Sequence, residues 1–204
     1  MRLVQPIDIV CLDAMGVLYR CRDDLRDLLI PFVTSRSRSS ATEVADVYRR
    51  CFVGEIASAE LWSELGVAGD PAALDVAHLS SHGLVPGVKE FLARCATRGL
   101  RVACISNDVS EWSRWLRQHF ELEDLIAPWV VSGDFGARKP EPAIYRQLID
   151  VVGAEPHRIL LVDDRERNLD AAARLGFQVA LFGSDESKHR RIENYAALSV
   201  LLGL

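Results

Sequence analysis

The stretch Ile7-Asp8-Ile9-Val10-Cys11-Leu12-Asp13-Ala14-Met15-Gly16-Val17-Leu18 decides how the rest of this 204-residue chain is read. A short apolar run broken by a carboxylate and then a Gly is the pattern of a buried strand that delivers an acid to the end of a sheet. In open α/β sheets, ligands bind along the carboxyl edge of the strands. Asp13 is therefore the first candidate functional residue, and Met15 belongs to the same segment.

Working outward, the pattern changes character twice. From about Asp23 to Ser81 apolar residues recur at helical spacing, as Leu25-Leu28-Leu29, Val44-Val47-Tyr48-Cys51 and Ile56-Leu61-Leu65, with no convincing strand. Asp70-Pro71 opens another helix, Asp70 as N-cap and Pro71 at the first position. The run Thr34-Ser35-Arg36-Ser37-Arg38-Ser39-Ser40 reads as a polar loop whose arginines are solvated. From Pro86-Gly87 onward helices and strands alternate. The expected series is helix 87–98 ending at Gly99, strand Arg101–Ile105, helix 110–118 and a short strand near Trp129–Val131. Helix 141–152, strand Arg158–Val162, helix 166–175, strand Phe177–Phe182 and a final helix Ser187–Leu202 complete it. Such alternation implies right-handed crossovers and an α/β fold built on a mostly parallel, doubly wound sheet. The helical stretch is then an insertion above the sheet's carboxyl edge.

Composition sets outer bounds. Hydrophobic content of 49% and charged content of 26% fit a soluble globular protein, of a length for one domain or one domain with an insert. A net charge of −5 gives no general attraction to nucleic acid or anionic membrane. No apolar stretch approaches the roughly 18 residues of a spanning helix. Pro6 and Asp8 also interrupt any basic-then-apolar leader pattern. The five cysteines are odd in number and lack CxxC spacing, which favours reduced thiols and a cytoplasmic location. Cys11 and Cys104 fall inside apolar strand runs and read as packing residues.

Three further strand ends carry polar groups. Val102-Ala103-Cys104-Ile105 ends in Ser106-Asn107-Asp108, Val130-Val131 leads into a loop containing Arg138-Lys139-Pro140, and Ile159-Leu160-Leu161-Val162 ends in Asp163-Asp164. A parallel sheet places all of them along one edge with Asp13. Three carboxylates need a cation to offset them, and oxygen-only ligands point to Mg²⁺. A hydroxyl and an ammonium beside a metal suit a phosphoryl group, whose oxygens need donors and positive charge.

Taken together, these segments resemble the four motifs of the haloacid dehalogenase-like hydrolase superfamily. Leu12-Asp13-Ala14-Met15-Gly16-Val17-Leu18 is similar to the first motif, Ile105-Ser106-Asn107 to the second, Lys139 to the third and Asp163-Asp164 to the fourth. The order is right, and the match spans the chain. The resemblance implies a Rossmann-like core (1–18 and 83–204) with a small all-helical cap (19–82). It implies a Mg²⁺-dependent phosphatase in which Asp13 attacks phosphorus and forms an aspartyl-phosphate. Mg²⁺ would be held by Asp13, the backbone carbonyl of Met15 and Asp164, while Asp163 would hold a metal-bound water or Lys139. Ser106 and the Asn107 backbone N–H would bind phosphoryl oxygens, and Lys139 would neutralise Asp13 and the transferring group. A cap of this size would close over a small phosphorylated metabolite, and the protein would be a monomer or homodimer. Tyr19, Arg20 and Arg22, where the chain enters the cap, are candidates for substrate contact.

The first motif departs from the pattern at Met15, where the family usually carries a second acid. A thioether has no proton to give. General acid–base catalysis is worth about 10²- to 10⁴-fold, so its loss leaves room for a slower enzyme. Dehalogenating relatives carry an aromatic at this position, which keeps displacement at a carbon–halogen bond as an alternative. A non-catalytic binder of phosphorylated ligands is another. Each residue also has a plainer reading on its own. Asp13 and Asp163-Asp164 could cap helices, Ser106 and Asn107 could be ordinary loop formers, and Lys139 could be a solvated charge. Four such coincidences at four strand ends are improbable together. Trp112 and Trp115 read as packing, the five histidines are assigned to no chemistry, and Asn168 either orients the fourth motif or starts a helix.

Overall fold

In the computed structural model, which describes residues 6–183 and 186–204, the opening strand β1 spans Ile9–Leu12 and is buried along its whole length. Its side chains alternate between two cores. Val10 and Leu12 join Val102, Cys104, Leu160 and Val162 on one face of the sheet. Ile9 and Cys11 join Ala103, Ile105, Ile159 and Leu161 on the other. Helices cover both faces, so the strand needs apolar residues at every position rather than at alternate ones. Each such side chain contributes about 1.5–3 kcal/mol by leaving water.

The remaining strands are β2 (Arg101–Ser106), β3 (Trp129–Val131), β4 (Ile159–Asp163), β5 (Gln178–Phe182) and β6 (Arg190–Ile192). All neighbours are parallel, in the order β3-β2-β1-β4-β5-β6. The chain runs outward from β1 to β3, then returns to the other side of β1 to lay down β4. That reversal opens a crevice beyond the carboxyl ends of β1 and β4, where this fold class binds ligands. Leu12 pairs with Cys104 on one side and Val162 on the other, which brings Asp13 level with the start of both polar strand ends.

Between β1 and β2 the chain forms a π-helical turn (Leu25–Leu29) and helices α1 (Ile30–Thr34), α2 (Ala41–Phe52), α3 (Ser58–Glu64) and α4 (Pro71–Leu79), then α5 (Val88–Thr97) against the sheet. The starts of these helices follow local chemistry. Ser40 and Glu43 form a reciprocal capping box at α2, and the Asp70 carboxylate accepts from Ala73 N–H at 2.9 Å beside Pro71 at α4.

This helical segment is tied to the sheet through α6 (Ser110–His119), which follows β2. The Trp112 ring of α6 packs among Tyr48, Trp62 and His78. Its indole N–H donates to Asp75 at 2.6 Å, and Asp75 also accepts from Trp62 (2.8 Å) and Ser58 (2.8 Å). Asp24 is buried with His78 Nε2 at 3.4 Å and His82 Nε2 at 3.1 Å. At Gly54 the two parts meet backbone to backbone: with φ at +76°, a Cβ there would lie 2.2 Å from the Gly133 carbonyl oxygen.

After β3 come α7 (Ser132–Phe135), α8 (Pro142–Val152) and, following β4, α9 (Glu166–Arg174). The chain end differs from the single helix expected over Ser187–Leu202. It holds the edge strand β6 and the shorter helix α10 (Tyr195–Leu202), started by the Asn194 side chain accepting from Ala197 N–H at 2.9 Å. In β6 only Ile192 is buried, so Arg190-Arg191-Ile192 carries too little alternation to read as a strand. All five cysteines are free thiols. No helix among the described residues is long and apolar enough to cross a membrane.

Candidate active site

Asp13 lies one residue past β1, and its N–H donates to the Val162 carbonyl at 2.9 Å, which pins it beside the end of β4. Its Oδ1 accepts from Ala14 N–H at 2.6 Å and lies 2.7 Å from Lys139 Nζ. The same ammonium reaches Asp163 Oδ2 at 2.8 Å. Lys139 arrives from the loop before α8, and the Asn107 side chain fixes that loop. Its Oδ1 accepts from Lys139 N–H (2.7 Å) and its Nδ2 donates to the Lys139 carbonyl (2.9 Å). Lys139, Asp13, Asp163, Asp164 and Ser106 are all buried.

Asp163 is held from every side. Besides Lys139 it accepts from Arg165 N–H at 2.8 Å, and Asn168 Nδ2 lies 3.0 Å from each of its oxygens. Asn168 therefore orients the fourth motif, as one of its two sequence readings had it. Asp164 accepts from Arg22 Nε at 2.9 Å on Oδ2, while its buried Oδ1 has no hydrogen-bond partner. The Ser106 hydroxyl is likewise buried without a partner. Gly16 makes this closeness possible. It sits at φ +77°, and a Cβ there would lie 2.5 Å from Asp164 Oδ2.

Electrostatics follow from a count of charges. Burial first, then the charge of Asp163, pushes the Asp13 pKa up to about 8, against the pull of Lys139. Burial works to discharge Lys139, but Asp13 and Asp163 outweigh it and keep the ammonium charged. Asp164 is shifted upward by burial, with Arg22 opposing. Three buried acids thus crowd around one buried ammonium, while Asp164 is met by the part-exposed guanidiniums of Arg22 at 2.9 Å and Arg165 at 3.8 Å.

The residues present fit a divalent cation. One oxygen each of Asp13, Asp163 and Asp164 lie within 4.8 Å of one another. The donors are all oxygens, as Mg²⁺ requires, and the unpartnered Oδ1 of Asp164 is an acceptor waiting for a positive partner. Asp163 has its oxygens engaged by Lys139, Asn168 and Arg165 N–H, so of its two implied tasks the structure has it holding the lysine.

Above this floor is a cavity of about 340 Å³ shared with the helical segment, into which Met15, Asp24, Tyr48, Arg49, Arg138 and Arg167 face together with Asp13 and Lys139. Of the three residues named for substrate contact, only Arg22 lines it. Tyr19 is instead buried in the core, and Arg20 donates to the Leu84 carbonyl at 2.8 Å, because residues 19–20 pair with the returning chain at Gly83-Leu84. The cavity walls supplied by α2 were not legible beforehand. Tyr48 reads as one more apolar residue of an amphipathic helix, and Asp24 gains its meaning only from His78 and His82, more than fifty residues away.

Comparison with known proteins bears on the family and the fold. A family model described as haloacid dehalogenase-like hydrolase matches residues 7–176. A phosphoglycolate phosphatase of Mesorhizobium japonicum is 28% identical over 94% of this chain and 90% of its own length. One from Rhodospirillum rubrum is 31% identical over 60% of this chain but only 50% of its own length, so the match spans about half of that relative. Among solved structures, a HAD family enzyme of Bacteroides thetaiotaomicron, in complex with magnesium and inorganic phosphate, superposes with a TM-score of 0.74 at 20% identity, covering 89% of this chain and 97% of that one.

Proposed function

The chain belongs to the haloacid dehalogenase-like hydrolase family, and from that premise we propose that it is a Mg²⁺-dependent phosphatase of small phosphorylated metabolites, working through an aspartyl-phosphate on Asp13. The observation that carries this reading is the convergence of the floor: Asp13, Asp163 and Asp164, all buried, bring carboxylate oxygens within 4.8 Å of one another beside the buried ammonium of Lys139. Asp13, Asp164 and the Met15 carbonyl would hold the ion, which supplies Lewis-acid stabilisation of charge on the phosphoryl oxygens.

The chain's own residues then divide the work. The Asp13 carboxylate attacks phosphorus, and the ester bond to the leaving oxygen breaks. Lys139 holds Asp13 in place and offsets charge on the transferring group, and its own position is set by Asp163 and the Asn107 side chain. The unpartnered Ser106 hydroxyl and the Asn107 backbone N–H donate to phosphoryl oxygens. Residues 19–82 act as a cap. The cavity's modest size selects small substrates, and Arg49 and Arg138, at its wall, favour a substrate with charge beyond the phosphate. The phosphatase names of the Mesorhizobium and Rhodospirillum relatives support the same class of substrate. A cytoplasmic monomer or homodimer completes the proposal.

A panel of phosphorylated metabolites, assayed for phosphate release with Mg²⁺ and with EDTA, tests the reading. The expected result is metal-dependent release that Asp13→Asn abolishes. Halide release from 2-haloacids that persists in EDTA, with no phosphate release, would establish carbon-centred displacement instead. Binding of a phosphorylated ligand without turnover or modification of Asp13 would establish a non-catalytic binder.

A further inference from the structure

The phosphatase reading leaves one step without an agent. The departing oxygen needs a proton, and Met15 beside Asp13 has none to give. Among the described residues that line the cavity, few groups carry a transferable one. The arginines keep theirs at any accessible pH. Lys139 is pinned between Asp13 and Asp163 and stays an ammonium. Burial opposes charge on Asp24, but His78 and His82 outweigh it and hold its carboxyl well below the usual range, so it has no proton to donate. Asp23 is a partly exposed acid 3.7 Å from Arg165.

Tyr48 differs from all of these. Its ring is fixed from two sides, stacked on Trp112 at 6.0 Å and tilted against Phe52 at 5.2 Å between centroids. Its hydroxyl makes no hydrogen bond to any described residue; Tyr145 and Tyr195 donate to backbone carbonyls, and the Tyr19 hydroxyl, though also without a partner, is enclosed in the core away from the cavity. A phenol that faces the reaction cavity, is held rigidly and leaves its hydroxyl unengaged is placed to serve a substrate atom. Burial raises its pKa, so the proton is present at neutral pH.

Resting on the phosphatase reading, we propose that Tyr48 is the catalytic acid and base of this site, supplied by the cap where the first motif offers only Met15. In the first half-reaction an Asp13 oxygen bonds to phosphorus, the bond from phosphorus to the ester oxygen breaks, and that oxygen takes the bonding pair and the Tyr48 proton. Alcohol leaves, and Tyr48 is a phenolate. In the second half-reaction a water oxygen attacks phosphorus and its proton passes to the phenolate. The bond from phosphorus to Asp13 breaks, inorganic phosphate leaves, and both side chains are restored. An aliphatic alkoxide is a stronger base than an ordinary phenolate, a margin that the burial of Tyr48 narrows. The Ser106 hydroxyl, being an alcohol itself, has no such advantage.

The test is the dependence of kcat/KM on leaving-group pKa, measured with Mg²⁺ across p-nitrophenyl, phenyl and alkyl phosphates. Tyr48→Phe keeps the ring packing and is expected to steepen the slope. Alkyl esters should lose about 10²-fold or more, and p-nitrophenyl phosphate, whose leaving oxygen needs no proton, should lose much less. The slope compares esters on one preparation, so a partly folded variant still answers. An equal loss along the whole series overturns the proposal and leaves Tyr48 as cavity wall. Phosphate release from none of the esters by the unsubstituted protein overturns the phosphatase reading, and this proposal with it.

Discussion

Two regions of this molecule bury carboxylates, and they treat them in opposite ways. In the helical segment Asp75 accepts from two indoles and a hydroxyl, and Asp24 faces two imidazoles. Rings and a hydroxyl of the protein itself face the acids there. At the sheet edge Asp13, Asp163 and Asp164 bring oxygens within 4.8 Å of one another, with Lys139 bridging Asp13 and Asp163 and the Arg22 guanidinium on Asp164. Crowding buried carboxylates together is costly, so a fold keeps such a cluster only where something else arrives to offset it. The difference teaches where to look for function: burial of acids is common to both regions, and the convergence of three carboxylates on one point belongs to the sheet edge.

The sharpest way to break this comparison is to remove the buried ammonium of the floor. Lys139→Ala strands Asp13 and Asp163 together and should lower stability by about 3–5 kcal/mol, read by denaturant unfolding. Phosphatase activity should fall by about 10²- to 10³-fold, the usual loss for one electrostatic stabiliser. A variant as stable as the parent would mean that Lys139 does not offset Asp13 and Asp163. Mg²⁺ separates the regions more finely. It should raise the melting temperature of the parent protein and of Asp75→Asn, although the latter starts about 1–3 kcal/mol less stable. Asp164→Asn should lose the Mg²⁺ shift. A shift retained there would place the ion elsewhere.

The smallest effect concerns Asp108, which is buried between the two regions. Burial, then the charge of Asp24, pushes its pKa well above the ordinary range, and Asp13 adds to this. The folded protein therefore holds a proton that the unfolded chain releases above about pH 4, and its stability falls as pH rises through that window. Asp108→Asn removes this cost. Its unfolding free energy should exceed the parent's by on the order of 1 kcal/mol at neutral pH, with the gap closing toward pH 4. A gap independent of pH would show that Asp108 does not titrate in this way.

These regions also differ in how far they could be read in advance. The floor was legible because each of its residues follows an apolar strand, and a parallel sheet brings strand ends together whatever the loops do. Asp13, Lys139 and Asp163-Asp164 are adjacent for that reason, and Ser106 ends the strand beside β1. The α/β class and nearly every strand follow from the same periodicity. The helical segment offered only spacing. Its helices were legible from their apolar faces and from caps such as Asp70-Pro71, but their mutual arrangement rests on contacts distant in sequence. Trp112 reaching Asp75 and His82 reaching Asp24 leave no local trace, and so Tyr48 was not singled out from its helix. Strand β6 escaped because an edge position needs only one buried residue, and Arg190-Arg191-Ile192 supplies no more.

That edge has a consequence for how copies of the molecule meet. Both outermost strands, β3 and β6, are three residues long, whereas the four interior strands run to between four and six. A short rim gives another chain few free N–H and C=O groups to continue, and the adjacent arginines of β6 add like-charge repulsion between copies. Sheet-to-sheet addition, the ordinary route from a parallel sheet to aggregates, is thereby starved of template at both ends. A homodimer of this protein would have to be built from helix faces.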